Sequence, residues 1–169
     1  REKAGNLLSQ GFESLREKGN PNVASAVGAL YLAQFLLANG DAEQAIGVLE
    51  NENAGPLALV ESGAEVAQKP EFVLETYKAA LRAYLSAEKP DREKSKRMME
   101  SLEKFAASDG GGANKLTDVS LGLGVQLQRQ MKELTASGQA AKAKQVAASL
   151  GDVLARVSER PDANDWRVR

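Results

Sequence analysis

The chain has 169 residues and contains neither cysteine nor histidine. These absences exclude disulfides, thiolate metal sites, cysteine nucleophiles and serine–histidine–acid triads. The formal net charge of −1 gives no overall attraction to nucleic acid or to an anionic membrane. Apolar residues make up 43 % of the chain and aromatic residues only 5 %. Alanine and leucine predominate and valine and isoleucine form no alternating runs, so we expect an all-α fold.

Apolar spacing and chain-breaking residues divide the sequence into helices. Pro21 and Pro70 stand where a helix tolerates the missing N–H of proline, at its first turn. Gly40 is placed to end one helix in the left-handed conformation, and Asp41 to cap the next. The predicted helices cover residues 2–18, 21–39, 42–53, 57–67, 70–87, 91–107, 114–136 and 139–159.

The predicted helices form three hairpins. Their turns lie near Gly40, Pro90 and Gly138. Repetition of one supersecondary unit predicts a stacked helical array, and we expect a single domain over 1–169, as part of a longer protein. The glycine-rich stretch 108–112 is the predicted hinge, and we expect Trp166 to dock onto the last helix.

The first hairpin resembles a tetratricopeptide repeat. The matching residues are Leu32–Ala33 in its first helix, the turn Asn39–Asp41, and Ala45 and Leu49 in its second helix. Small residues let the two helices approach closely, while leucines fill the surrounding space. The other two hairpins match at fewer positions, and their turns are spaced more widely than a regular repeat of about 34 residues.

The resemblance implies an all-α, right-handed superhelix of about eight antiparallel helices, with a concave groove lined by the first helix of each hairpin. It implies a protein or peptide partner, bound as an extended segment or a helix. Carried onto this sequence, the repeat places Gln34, Tyr84, Gln128 and Lys132 in the groove, with Tyr84 as an exposed aromatic.

Other patterns have less specific explanations. The stretch Gly110–Thr117 resembles a phosphate-binding loop, but Asn114 and Leu116 interrupt the required pattern and no strand precedes it. The basic residues of 92–97 alternate with acidic ones, which predicts ion pairs within one helix, such as Glu93–Arg97 and Lys96–Glu100. The alternative is that these basic residues bind phosphate or an acidic partner. The pairs Glu50/Glu52 and Glu71/Glu75 are candidate catalytic carboxylates, although nothing in their spacing implies a desolvated pocket.

The leading hypothesis is a non-enzymatic protein-interaction or scaffold module that needs no metal or cofactor and binds no nucleic acid. One alternative is a purely structural segment that spaces or oligomerises domains of the parent protein. In that case the protein could be a homo-oligomer. Another is a helical enzyme domain that uses carboxylates or lysines. No membrane span is expected in 1–169, because the longest apolar stretch, Val23–Ala38, is short and interrupted.

Overall fold

The computed structural model describes residues 2–18, 23–108 and 112–158. Within these ranges every regular element is helical, which confirms the all-α prediction. The helices are α1 (Glu2–Lys18), α2 (Val23–Ala38), α3 (Ala42–Leu49), α4 (Pro56–Glu61), α5 (Pro70–Ser86), α6 (Arg92–Ser108), α7 (Gly112–Ala136) and α8 (Ala140–Ser158), with a 3₁₀ turn at Glu65–Gln68. None of the described helices is long and apolar enough to cross a membrane. The predictions for Pro21, residues 109–111 and Trp166 fall outside the described residues.

The three predicted hairpins are present. Hairpin 1 is α2 packed on α3, hairpin 2 is α5 packed on α6, and hairpin 3 is α7 packed on α8. α1 packs against α2, and α5 lies at the centre, in contact with both helices of hairpins 1 and 3. The turn of hairpin 1 also reaches hairpin 3, because a Cβ placed on Gly40 would lie 3.4 Å from the Leu134 side chain. The first and third hairpins therefore touch each other as well as the second.

Left-handed glycines end the first helices of hairpins 1 and 3, which confirms the prediction for Gly40 and the predicted turn near Gly138. Gly40 has φ +83° and Gly138 has φ +77°. Asp41 follows Gly40 as the N-cap of α3, but the predicted side-chain cap is wrong. Its backbone lies at φ −95° and ψ 63°, outside the extended region in which a cap side chain reaches the first-turn N–H groups.

The segment 50–68 departs most from the predicted helices. α3 ends at Leu49 instead of 53, because the Asn51 side chain accepts hydrogen bonds from the backbone N–H groups of Asn53 and Ala54, at 3.1 and 3.0 Å. The predicted helix 57–67 is split into α4 and the 3₁₀ turn. Gly63 causes the split, because its φ of +68° ends α4 in the left-handed conformation.

The core combines small apolar residues at the helix contacts with large apolar residues around them. Ala33 and Ala45 are completely buried where α2 meets α3, and Ala80 and Ala83 play the same part on α5. Their size allows close helix contacts, and the leucines around them fill the remaining volume. The largest fully buried apolar side chains are Leu37, Leu49, Leu81, Leu102, Leu123, Leu127 and Val146.

One cationic side chain joins all three hairpins. Arg82 of α5 donates from Nε to Oε1 of Gln130 on α7, at 3.1 Å, and from Nη2 to the carbonyl oxygen of Leu37 near the end of α2, at 3.3 Å. The Ser86 hydroxyl donates to the same oxygen of Gln130, at 3.3 Å. Burial lowers the pKa of the Arg82 guanidinium, because desolvation disfavours its charged form. We call Arg82, Gln130 and the Leu37 carbonyl the arginine clamp.

Replacing Arg82 tests the clamp. Arg82→Met removes two hydrogen bonds, while Ser86 still donates to Gln130 and the Gly40 N–H still donates to the Leu37 carbonyl. We therefore expect a loss of about 1–2 kcal/mol in the free energy of unfolding, measured by urea denaturation. Arg129→Met is the matched control, because that guanidinium is 78 % exposed and pairs only with Glu133 one turn away; it should cost under about 0.5 kcal/mol. Equal losses in the two variants would contradict the clamp.

Thr76 gives a second stability prediction. Its side chain is completely buried in α5, and within the described part of the chain its Oγ1 has no hydrogen-bond partner. Thr76→Val exchanges this hydroxyl for a methyl group of similar size, so we expect stability to stay equal or to rise by up to about 1 kcal/mol. Thr76→Ala, which removes a methyl group as well, should be less stable than Thr76→Val. A thermal-denaturation series of the three proteins gives the order, and a clear loss in Thr76→Val would show that the hydroxyl has a partner.

Candidate functional site

Tyr84 of α5 is the centre of a charged cluster between hairpins 1 and 2. Its hydroxyl donates to Oε1 of Glu50, just after α3, at 2.7 Å. Lys94 of α6 donates to the same oxygen, also at 2.7 Å. The Lys94 ammonium lies 5.4 Å from the centroid of the Tyr84 ring, within the range of a cation–π interaction. The cluster thus connects α5, α6 and the end of α3.

The environment of Tyr84 keeps its hydroxyl protonated. The residue is 3 % exposed, and burial is the largest cause that raises its pKa above the ordinary value of a tyrosine. The hydrogen bond to Glu50 and the negative charge of that carboxylate raise the pKa further. Tyr84 is therefore a fixed hydrogen-bond donor, and its hydroxyl does not supply a general base at neutral pH.

Two open cavities flank this cluster, and Tyr84 and Lys94 line both. Cavity 1, of about 290 Å³, lies between α4 and α6 and has an apolar part formed by Leu57, Ala58 and Met98. Its charged lining is Glu50, Glu52, Glu61, Lys94 and Arg97, of which Arg97 and Glu61 form an ion pair at 3.7 Å.

Cavity 2, of about 360 Å³, lies beside the turn between α5 and α6. Ile46 and Ala87 form its apolar part. The carboxylate of Glu43 accepts a hydrogen bond from the backbone N–H of Glu88 at 2.6 Å, which fixes one wall. Its charged lining is Glu43, Glu88, Lys89, Asp91 and Lys94. We call cavities 1 and 2 together the acidic groove.

The acidic groove has an excess of negative charge. Its lining contains six carboxylates, from Glu43, Glu50, Glu52, Glu61, Glu88 and Asp91, and three cations, from Lys89, Lys94 and Arg97. In the part of the chain that the structure describes, no group of three or more acidic side chains is arranged to hold a metal ion. The groove is suited to contacts with basic or polar groups.

A third cavity, of about 380 Å³, lies between α1 and hairpin 1. Phe12, Leu32, Leu36 and Val48 contribute apolar surface, and polar side chains such as Gln44 complete the lining. It has no cluster of charged groups comparable to the acidic groove.

Of the four residues predicted to line one groove, Gln34 lies on α2, Gln128 and Lys132 lie on α7, and Tyr84 lies on α5. Gln128 and Lys132 are exposed one turn apart on α7, as neighbours on one face. Gln34 is half-buried and donates to Glu75 of α5 at 3.4 Å. The exposed ring predicted for Tyr84 is wrong. α5 is covered by neighbours on several sides, so the ring is buried and lies at the acidic groove instead.

The sequence analysis missed four exposed large apolar side chains among the described residues, which are Leu7, Tyr31, Val125 and Leu154. Tyr31 of α2 is 60 % exposed and Val125 of α7 is 65 % exposed. Val125 is two residues away from both Leu123 and Leu127, which are buried, so it lies on the opposite side of α7. This position could have predicted its exposure. Tyr31 gave no such signal, because α2 is apolar on nearly every face.

The basic residues of α6 form ion pairs other than the predicted ones. The basic residues of α6 pair across helices, Lys94 with Glu50 and Arg97 with Glu61, so the predicted Glu93–Arg97 pair within α6 is not the one formed. The reason is that the ends of α3 and α4 place carboxylates beside this face of α6.

The structure also describes the candidate catalytic carboxylates and part of the stretch that resembles a phosphate-binding loop. Glu50 belongs to the Tyr84 cluster, while Glu75 is held by Lys78 at 2.6 Å. Of the stretch that resembles a phosphate loop, residues 110 and 111 lie outside the described ranges and the rest is the start of α7.

The residues that carry the resemblance to tetratricopeptide repeats lie in the core of hairpin 1. Leu32, Ala33, Ala45 and Leu49 are all buried between its helices and their neighbours. Comparison with family models, with curated proteins and with solved structures finds no match to the chain. Membership of the tetratricopeptide family therefore stays a prediction from these residues.

The raised pKa of Tyr84 predicts how stability depends on alkaline pH. An acid whose pKa is higher in the folded state contributes stability below its unfolded pKa of about 10, and this contribution is lost as pH rises above that value. We expect wild-type stability to fall by up to about 1.4 kcal/mol per pH unit from Tyr84 between pH 10 and 11. Tyr84→Phe should remove this part of the slope in urea titrations at pH 9, 10 and 11, whereas Tyr31→Phe, at an exposed position, should retain it. The same slope in all three proteins would contradict the buried, protonated state.

Proposed function

We propose that this chain is a non-enzymatic protein-interaction module that binds an extended peptide or a helix on the face formed by α2, α5 and α7, the first helices of the three hairpins. The observation that carries the proposal is the outer face of α7, where Val125, Gln128 and Lys132 are all exposed. Their spacing of three and four residues places them in one row along the helix. This row offers a partner one apolar, one amide and one cationic group.

The binding face that we propose also includes α2 and α5. Tyr31 on α2 offers an exposed aromatic ring, the kind of side chain that most often anchors a protein interface. Next to it, Gln34 contacts Glu75, and Glu75 pairs with Lys78, so polar groups continue onto α5. A partner would meet an apolar anchor on each outer helix and polar groups between them.

The arrangement we propose for this function is a short, right-handed solenoid of the tetratricopeptide type. Packing of each hairpin against the next along the chain supports it. The contact of Gly40 with Leu134 draws hairpins 1 and 3 together, which favours a shallow groove over the deep one of a long open array.

Photo-crosslinking tests the proposed face. A benzoyl-phenylalanine placed at Gln128 of the chain, in lysate from its own source, should form discrete crosslinked bands, whereas the same group at Glu103 on the exposed side of α6 should not. The double variant Val125→Asp, Lys132→Glu should weaken these bands at least tenfold, since it removes one apolar contact and reverses one charge. The same bands from positions 128 and 103, or bands that survive the double variant, would reject the face.

A further inference from the structure

We propose that the acidic groove is a second docking site, and that its partner is a basic protein segment that inserts one lysine or arginine side chain into cavity 1 and another into cavity 2. This site is separate from the α2–α5–α7 face. Tyr84, at the centre of the groove, and Arg82, in the clamp between the first helices, are two residues apart on α5. They therefore point to nearly opposite sides of that helix.

Unused hydrogen-bond acceptors give the groove its preference for cations. Tyr84 and Lys94 both donate to Oε1 of Glu50, and among the described residues no donor reaches its Oε2. Glu52 is exposed at the same cavity, and Glu61 is held only by a 3.7 Å ion pair with an exposed arginine. An incoming guanidinium or ammonium group would find carboxylate oxygens that the groove's own cations leave free.

The apolar parts of the two cavities fit the rest of a basic side chain. Lysine and arginine bury their methylene stems on apolar surface while the charged end remains near water or a carboxylate. Leu57, Ala58 and Met98 offer such a surface in cavity 1, and Ile46 and Ala87 in cavity 2. Acidic ligands are disfavoured, because six carboxylates face three cations across the groove.

The wall between the cavities sets the form of the partner. The buried Tyr84 ring and the Lys94 side chain, both tied to Glu50, line both cavities and form the wall that the cavities share. A segment that fills both would place one basic side chain on each side of this wall. In an extended chain, residues i and i+2 point to the same side, about 7 Å apart. The simplest probe is therefore a peptide with alternate arginines.

Fluorescence anisotropy with a labelled Gly-Arg-Gly-Arg-Gly peptide and the whole chain tests this site. The citrulline peptide Gly-Cit-Gly-Cit-Gly is the matched probe, since citrulline keeps the shape of arginine without its charge. We expect saturable binding of the arginine peptide, weakening as salt rises, and at least tenfold weaker binding of the citrulline peptide. Absence of saturable binding, or equal affinity for the two peptides, would overturn the proposal.

Two double variants distinguish binding of the peptide in the acidic groove from a general effect of the protein's negative charge on binding. Glu52→Gln with Glu61→Gln should weaken binding of the arginine peptide about tenfold, whereas Glu100→Gln with Glu103→Gln, which removes the same charge from exposed positions of α6, should leave it within twofold. Ala58→Phe, which fills cavity 1 without changing charge, should also weaken it. Circular dichroism confirms that each variant is folded, and equal weakening by both glutamine pairs would overturn the proposal.

The variant Val125→Asp, Lys132→Glu should bind the arginine peptide at least as tightly as the wild type. This variant therefore distinguishes rejection of the α2–α5–α7 binding face from rejection of the acidic groove as a docking site. Loss of peptide binding in this α7 variant would show that the peptide does not sit in the acidic groove.

Discussion

The relative position of the three hairpins is tied to one half-buried guanidinium, which donates to neutral acceptors from two other hairpins. Arg82 reaches the Leu37 carbonyl in hairpin 1 and the Gln130 amide in hairpin 3. A charge that leaves water needs hydrogen bonds in return, and here they exist only when all three hairpins are in place. The desolvation of one side chain thus makes the native position of each hairpin depend on the others.

α5 carries two unlike networks on its two sides. On one side the Arg82 charge has neutral acceptors, and on the other Lys94 meets the carboxylate of Glu50 at 2.7 Å. The first network is more enclosed and holds helices together, whereas the second borders open cavities and leaves carboxylate oxygens free. This difference is the reason for proposing the second docking site at the Tyr84 side of α5 and a structural role for Arg82.

Sequence alone predicted most helices and much of their buried faces, but not the surroundings of Tyr84. Gly40, Gly138 and Pro70 mark helix ends through backbone constraints that act locally, so α2, α5 and α7 ended or began close to where expected. Asn51 ended α3 through its own side-chain hydrogen bonds, which composition does not reveal. Tyr84 was misplaced because helical spacing defines a face but not the number of neighbours that cover it.

The contact between the Gly40 turn and Leu134 has a consequence for how the chain melts. In an open array each repeat touches only the next, and terminal repeats fray independently. Here the first and third hairpins meet directly, and both are joined through α5. We therefore expect the described helices to melt as one cooperative unit, and truncation after α6 to destabilise the helices that precede it.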